Sequence, residues 1–377
     1  MLRISVLGFR ILIALCTGSF ACAQVIPPPE APDVGPIVTL QPPRDELLNK
    51  IGLSYQLGLN ISVDFRRLGG RSPAAIPLVG TAVNRNYDDG YNLIDFDHNN
   101  HGGYIGTWNW GNYSPNSIQN QELVLQNYAS LGNLSSNDRT DDPHNGFELN
   151  YSRQLYKGNG WRAGVQAAFA YQRIEITDSR SFSTTAYRTN DFFPLNGVTL
   201  DNKAYTNDFV GPGPVIASQP GYYYPPTRTV DVLPGAASVT GHRELDANVF
   251  LFRFGPYFEV PITEKLSGIL SGGLTIGVGD TDLRFRENVT ITDPAYLVSG
   301  QPLTVSTSRV GSGSQDDFLV GGYVGGSLSY AVSERVSVVA GAMFQAAGQA
   351  VNDTNHKEAV LKLGESILVS IGATYSF

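Results

Sequence analysis

The residues best suited to chemistry gather in one stretch, DDGYNLIDFDHNNHGGYIGTWNWGNY, at positions 88–113. Asp95, Asp97, Asn99 and His101 alternate there as the oxygen ligands of a D-x-D-x-N calcium loop do. The pattern breaks at Asn100, where the sharp turn needs glycine, and at Gly106, where a bidentate glutamate belongs. His98 and His101 beside the aspartates offer a transition metal its donor types without an established spacing. A solvated, glycine-rich surface segment is the plainer reading, so no metal and no cofactor are expected. Tyr104, Trp108, Trp110 and Tyr113 offer amphipathic rings for a contact patch toward glycan or protein. The same rings also suit one face of a hairpin near a membrane interface.

Acid–base chemistry has few candidates. His144 and His242 stand near predicted strand ends, and His242 shares a strand face with Glu244, yet no nucleophile is placed beside either histidine. No G-x-S-x-G elbow, H-E-x-x-H pair or phosphate-binding glycine loop occurs. The expectation is a protein that is not an enzyme.

The elements that position these residues are written in periodicity. Ile51, Leu53, Tyr55, Leu57, Leu59, Ile61, Val63 and Phe65 alternate with small or polar residues, a run longer than soluble strands usually reach. Ile367, Val369, Ile371, Ala373, Tyr375 and Phe377 repeat the pattern at the other end. Between them, tight turns at 157–160, 261–265 and 332–335 join alternating segments at 145–156 and 161–176, 244–260 and 266–285, and 317–330 and 336–345. The other connections are long, at roughly 66–144, 177–243, 286–316 and 346–360. Short turns on one side and long loops on the other, with both ends on the short-turn side, predict an all-β, antiparallel, up-and-down transmembrane barrel. Eight strands are expected, with ten to twelve as the alternative.

Composition agrees. The 377 residues include 41 glycines, 19 tyrosines and 18 phenylalanines, and only 16% are charged. Mean hydropathy is −0.11, as expected where apolar and polar residues alternate. Ser267, Ser271, Gly273, Thr275 and Gly277, with Gly321, Gly325, Ser327 and Ser329, are small enough to line a narrow lumen. Asp64, Arg66, Glu148, Arg162 and Arg253 are expected there as pairs. Arg153 breaks the alternation and suggests an interface position or a bulge. Tyr156, Trp161, Tyr257, Phe258, Tyr330, Tyr375 and Phe377 supply a girdle.

Residues 1–23 read as a cleaved signal peptide ending at Ala21-Cys22-Ala23, with lipid attachment at Cys22 the rival reading. Both cysteines, Cys16 and Cys22, lie inside it, which leaves no disulfide beyond it. Residues 24–48 form a proline-rich periplasmic linker, and 49–377 the barrel. The formal charge of −8 disfavours nucleic acid.

The last strand, with Ala373 and Tyr375 in alternation and terminal Phe377, resembles the β-signal of bacterial outer-membrane proteins. The resemblance implies recognition by the barrel assembly machinery. Over residues 51–377 the strand spacing is similar to small barrels of the OmpA and OmpX kind, which implies an outer-membrane location among lipid and lipopolysaccharide. The chain departs from OmpA in having nothing after Phe377, so no wall-anchoring domain is expected. The expected function is a structural or surface-interaction role, the barrel displaying long extracellular loops to an unknown partner. The alternatives are a small porin or solute channel and, third, a lipid-modifying enzyme.

Overall fold

The computed structural model describes residues 48–73, 84–92, 110–195, 199–205 and 226–377. Its strands in the first part of the chain are β1 (Asn49–Leu59), β2 (Ser62–Leu68), β3 (Arg85–Asn86), β4 (Gly90–Asn92), β5 (Trp110–Asn112), β6 (Ile118–Gln119), β7 (Glu122–Ser130) and β8 (Leu134–Arg139). Then follow β9 (His144–Gly158), β10 (Trp161–Asp178), β11 (Phe182–Pro194), β12 (Thr227–Pro261) and β13 (Leu266–Val298). The last are β14 (Gln301–Ala331), β15 (Val336–Ala346), β16 (Gln349–Thr354), β17 (Lys357–Lys362) and β18 (Ser366–Ser376).

One antiparallel sheet closes on itself in the order β1–β9–β10–β12–β13–β14–β15–β18–β1. Tight turns join β9 to β10, β12 to β13 and β14 to β15 at one end, where the backbones of Asn49 and Phe377 also pair. Closure removes the unpaired edges that would expose backbone polar groups to hydrocarbon.

Side-chain polarity shows where the bilayer lies. On β12, Phe250, Phe252, Phe254, Phe258 and Val260 point outward and are exposed, as are Leu270, Leu274, Ile276 and Val278 on β13. From Val260 to Phe250 the strand rises about 33 Å, or roughly 25 Å of bilayer at a tilt of about 40°. Inward lie Arg253, Tyr257 and Glu259, all buried. Above Phe250 the two faces exchange character. Asn248, Asp246 and Glu244 now continue the outer face, while Leu251, Val249, Ala247 and Leu245 fill the interior. β10 inverts at the same level, from lipid-facing Tyr171 to outward Arg173 and Glu175 with Ile174 and Ile176 inside.

The segments expected as long loops are folded. β12, β13 and β14 continue far beyond the belt, and β11, β7 and β6 extend their sheet. A second sheet, β16–β17–β2–β8, packs against them. Between the two sheets Ile61, Val63, Phe65, Leu361, Leu245, Leu283 and Leu319 form one core. β3, β4 and β5 make a third, small sheet.

Two expectations about the first strand need correction. The long alternating run is broken at Asn60, which adopts a left-handed φ of 58°. β1 pairs in the barrel, whereas β2 pairs with β17, so Asp64 and Arg66 lie outside the lumen. They bond each other at 3.0 Å, and Arg66 also reaches Glu358 at 3.1 Å. Tyr257 points into the lumen, because it shares the face of Arg253 and Glu259. The girdle is otherwise formed: Trp161 stacks on Phe258 at 5.5 Å and Tyr375 on Phe377 at 6.4 Å. The β9–β10 register shifts opposite Leu155, two residues past Arg153.

Candidate functional site

The lumen is polar, narrow and internally paired. Ser54, Gln56, Glu148, Gln166, Tyr257, Glu259, Ser271, Gly325, Ser327 and Ser329 surround a cavity of about 100 Å³. Arg253, 2% exposed, bonds Glu148, which also accepts from Gln56 at 2.8 Å. Glu259 takes Lys50 at 2.8 Å and lies 3.8 Å from Arg162. Each buried charge thus faces its counter-charge, the condition for tolerating charge in a narrow barrel. Toward the outside the lumen ends on Ala170, Leu251, Leu319 and Leu363, the lower side of the apolar core. The one amide set into that layer is Gln172, buried on the same face of β10 between Ala170 and Ile174.

Above the core lies a buried ionic cluster. Arg243 meets Asp178 at 3.1 Å and Glu287 at 3.6 Å. Lys357 bonds Glu287 and the carbonyls of Arg67 at 2.9 Å and Gly69 at 3.0 Å. Glu287 in turn accepts from the Gly69 N–H at 3.1 Å. β2 and β17 are therefore latched to β12 and β13 by charges that water does not reach.

The strands and sheets beyond the apolar belt form a head, whose distal part has its own core of Tyr87, Trp110, Leu123, Leu125, Phe193, Leu195 and Tyr205. Trp110 is 1% exposed and tilts against Tyr205 at 5.1 Å, so this ring is packing, not contact surface. Tyr113, the residue after β5, is exposed. Tyr104 and Trp108 lie outside the described residues, as do Asp95, Asp97, His98, Asn99 and His101. Asp89 is buried between β4 and β7, its carboxylate accepting the Gln126 N–H at 2.7 Å. Burial pushes its pKa up to about 7, and Asp88 adds to the shift. Asp88 itself is held by Arg71 at 2.9 Å and by the Tyr128 N–H at 2.8 Å.

The histidines are placed as follows. His144 is buried beside Asp142, at 3.5 Å. His242 is exposed on the outer wall, its Nδ1 2.9 Å from Ser179 Oγ and its Nε2 4.0 Å from Glu244. Sequence reasoning missed Ser179, which strand pairing brings to His242 across 63 positions. Glu244 is 3.4 Å from Arg284, so its charge serves the cation and not the imidazole. Glu175, Glu244 and Asp246 bring oxygens within 4.8 Å of one another, with Arg284 also 3.1 Å from Asp246.

A closed antiparallel ring, a lipid-height apolar exterior and a polar interior together define an outer-membrane β-barrel protein. No family model and no curated protein matches the chain. Among solved structures, Ail of Yersinia pestis, in complex with the heparin analogue sucrose octasulfate, is 12% identical with a TM-score of 0.23, covering 88% of this chain and 99% of that one. The outer membrane protease OmpT from Escherichia coli is 12% identical with a TM-score of 0.32, covering 88% and 97%. A FadL homologue from Pseudomonas aeruginosa is 10% identical with a TM-score of 0.19, covering 88% and 90%. Likeness this distant carries nothing about activity, and the assignment rests on the ring and the inversion of its faces.

Proposed function

We propose that this protein is a non-conducting outer-membrane barrel whose work is done by its folded extracellular head, in a surface-interaction role. The observation that supports the reading is the apolar layer of Leu251, Leu319 and Leu363 across the outer end of the lumen, continuous with the core of the head. A channel needs a hydrated path, and a layer of closely packed aliphatic side chains around a single buried amide, Gln172, leaves no continuous row of hydrogen-bonding groups for one. The head also holds far more ordered chain than is needed to close a barrel, built on strands of 35, 33 and 31 residues. On this reading the chain is not an enzyme. Ser179, His242 and Glu244 lie on an open wall, and the carboxylate is engaged by Arg284.

Reconstitution in planar bilayers tests the proposal. Insertion without discrete current steps is expected, and stable steps from folded protein would overturn it in favour of a small porin. The surface role is tested on cells, with immobilised glycans and matrix proteins as probes. Cells displaying the chain should bind at least one probe more than cells lacking it.

A further inference from the structure

Where β1, β15 and β18 leave the bilayer, their connections to β2, β16 and β17 surround a cleft of about 710 Å³. Its polar lining includes Asn60, Ser62, Thr140, Gln349, Lys362 and Glu365. The height is set by the chain itself. Asn60 follows Leu59 at the end of β1, Glu365 lies two residues from lipid-facing Ile367, and Gly348 four from lipid-facing Phe344. At about 3.3 Å per residue, the cleft begins within roughly 3–13 Å of the belt's edge, where hydrocarbon gives way to headgroups.

The chemistry of the lining is specific. Ser62 is half-buried and Thr140, Gln349 and Glu365 are exposed, and among the described residues none of these side chains is engaged by the protein, so all four are open to a ligand in place of water. Asn60 is fixed by its N–H to Asp142 at 2.7 Å and its side-chain amide to the Glu365 carbonyl at 2.8 Å. Lys362 bonds Asp64 and Asp138, both at 2.8 Å. The one cation is thus already neutralised twice, and Glu365 adds a further negative charge. Such a lining repels phosphate. It suits a ligand with many neutral hydroxyl and amide groups, which carboxylates, hydroxyls and an amide bind by donating and accepting in turn.

We propose that this cleft binds the sugar portion of the outer-leaflet glycolipid in which the barrel sits, gripping the saccharide ring and not its phosphates. The inference rests on the outer-membrane placement and is independent of the role of the head. The acyl chains of such a lipid would continue down the wall past Ile367 and Phe344, so headgroup and chains would be held on one side of the barrel.

The test uses the full chain in detergent, with retained lipid counted by native mass spectrometry. The probes are lipid A, lipid A stripped of its phosphates, phosphatidylethanolamine and the free glucosamine disaccharide. Wild type should retain both forms of lipid A in preference to phosphatidylethanolamine, and the form stripped of phosphates at least as well as the phosphorylated one. A Thr140→Val, Gln349→Leu double variant removes two partner-free groups and should lower retention about tenfold. Gly364→Tyr should do the same by occupying the cleft, since Gly364 lines it and a Cβ added there meets nothing within 4 Å. Both variants should keep the heat-dependent gel shift of a closed barrel, and should Gly364→Tyr misfold, the double variant decides. Unchanged retention in a folded variant overturns the proposal. So does loss of wild-type retention on removing the phosphates, which would make phosphate the ligand, or equal competition by the free disaccharide, which would make the ligand a soluble glycan.

Discussion

Glu287 is the counter-charge on which the docking of the second sheet turns, and Glu287→Gln isolates its contribution. The side chain is 1% exposed and faces Lys357 and Arg243 together. The glutamine keeps the shape and the oxygen that accepts from Gly69, but removes the negative charge. Arg243 retains Asp178, whereas Lys357 retains only the two carbonyls of Arg67 and Gly69. Removing one partner of a buried ion pair typically costs about 3–5 kcal/mol. The lower end applies because burial already holds the Lys357 pKa below that of a free lysine, even against Glu287, so proton loss limits the penalty. About 3 kcal/mol corresponds to a roughly 150-fold increase in opening of β2 and β17 from the barrel extension. Amide hydrogen exchange in Ser62–Leu68 and Lys357–Lys362 should accelerate by that factor, while β9, β15 and β18 stay protected. The pH dependence has a defined sign. A lysine pKa lowered by folding means that the undocked state binds more protons between the folded value and the ordinary one, so docking gains stability as pH rises through that window. The defect should therefore shrink from pH 7 to pH 10. Unchanged exchange in these strands, or equal acceleration across the whole barrel, would refute the latch.

The remaining predictions address the head and assembly. Asp89→Asn should stabilise the distal head at pH 8 and flatten its pH dependence: with the folded pKa raised to about 7, wild-type stability falls as pH rises from about 4 to 7. Thermal melts of the head at pH 5 and pH 8 check this, and equal pH dependence in the two proteins would contradict it. Trp110→Ala should loosen the distal core by about 3–5 kcal/mol, seen as protease cleavage near β5 with the heat-dependent gel shift intact. Deleting Phe377 should reduce outer-membrane recovery in cells far more than refolding yield in detergent, if Ala373, Tyr375 and Phe377 are read by the assembly machinery and not needed by the fold. Equal losses in both would assign the aromatic a purely structural part.

What the sequence determined by itself was the barrel. Strict alternation in Ile51–Leu59 and Ile367–Phe377, tight turns at one end and small inward residues are local signals, because a strand's two faces are set by a period of two wherever it lies. The luminal positions of Glu148 and Arg253 were legible for the same reason, whereas their pairing with each other was not. Alternation does not state which face meets what. Ile51, Leu53 and Tyr55 face lipid, whereas Ile61, Val63 and Phe65, six to ten positions later in the same pattern, face a dry protein core. Only the left-handed turn at Asn60 and pairing with β17 decide that, through partners nearly three hundred residues away. The inversion of β10 and β12, the burial of Trp110 and the meeting of Ser179 with His242 likewise depend on which strands are neighbours. Tertiary structure alone could turn segments that read as loops into a head, since their apolar residues find each other across sheets and not along the chain.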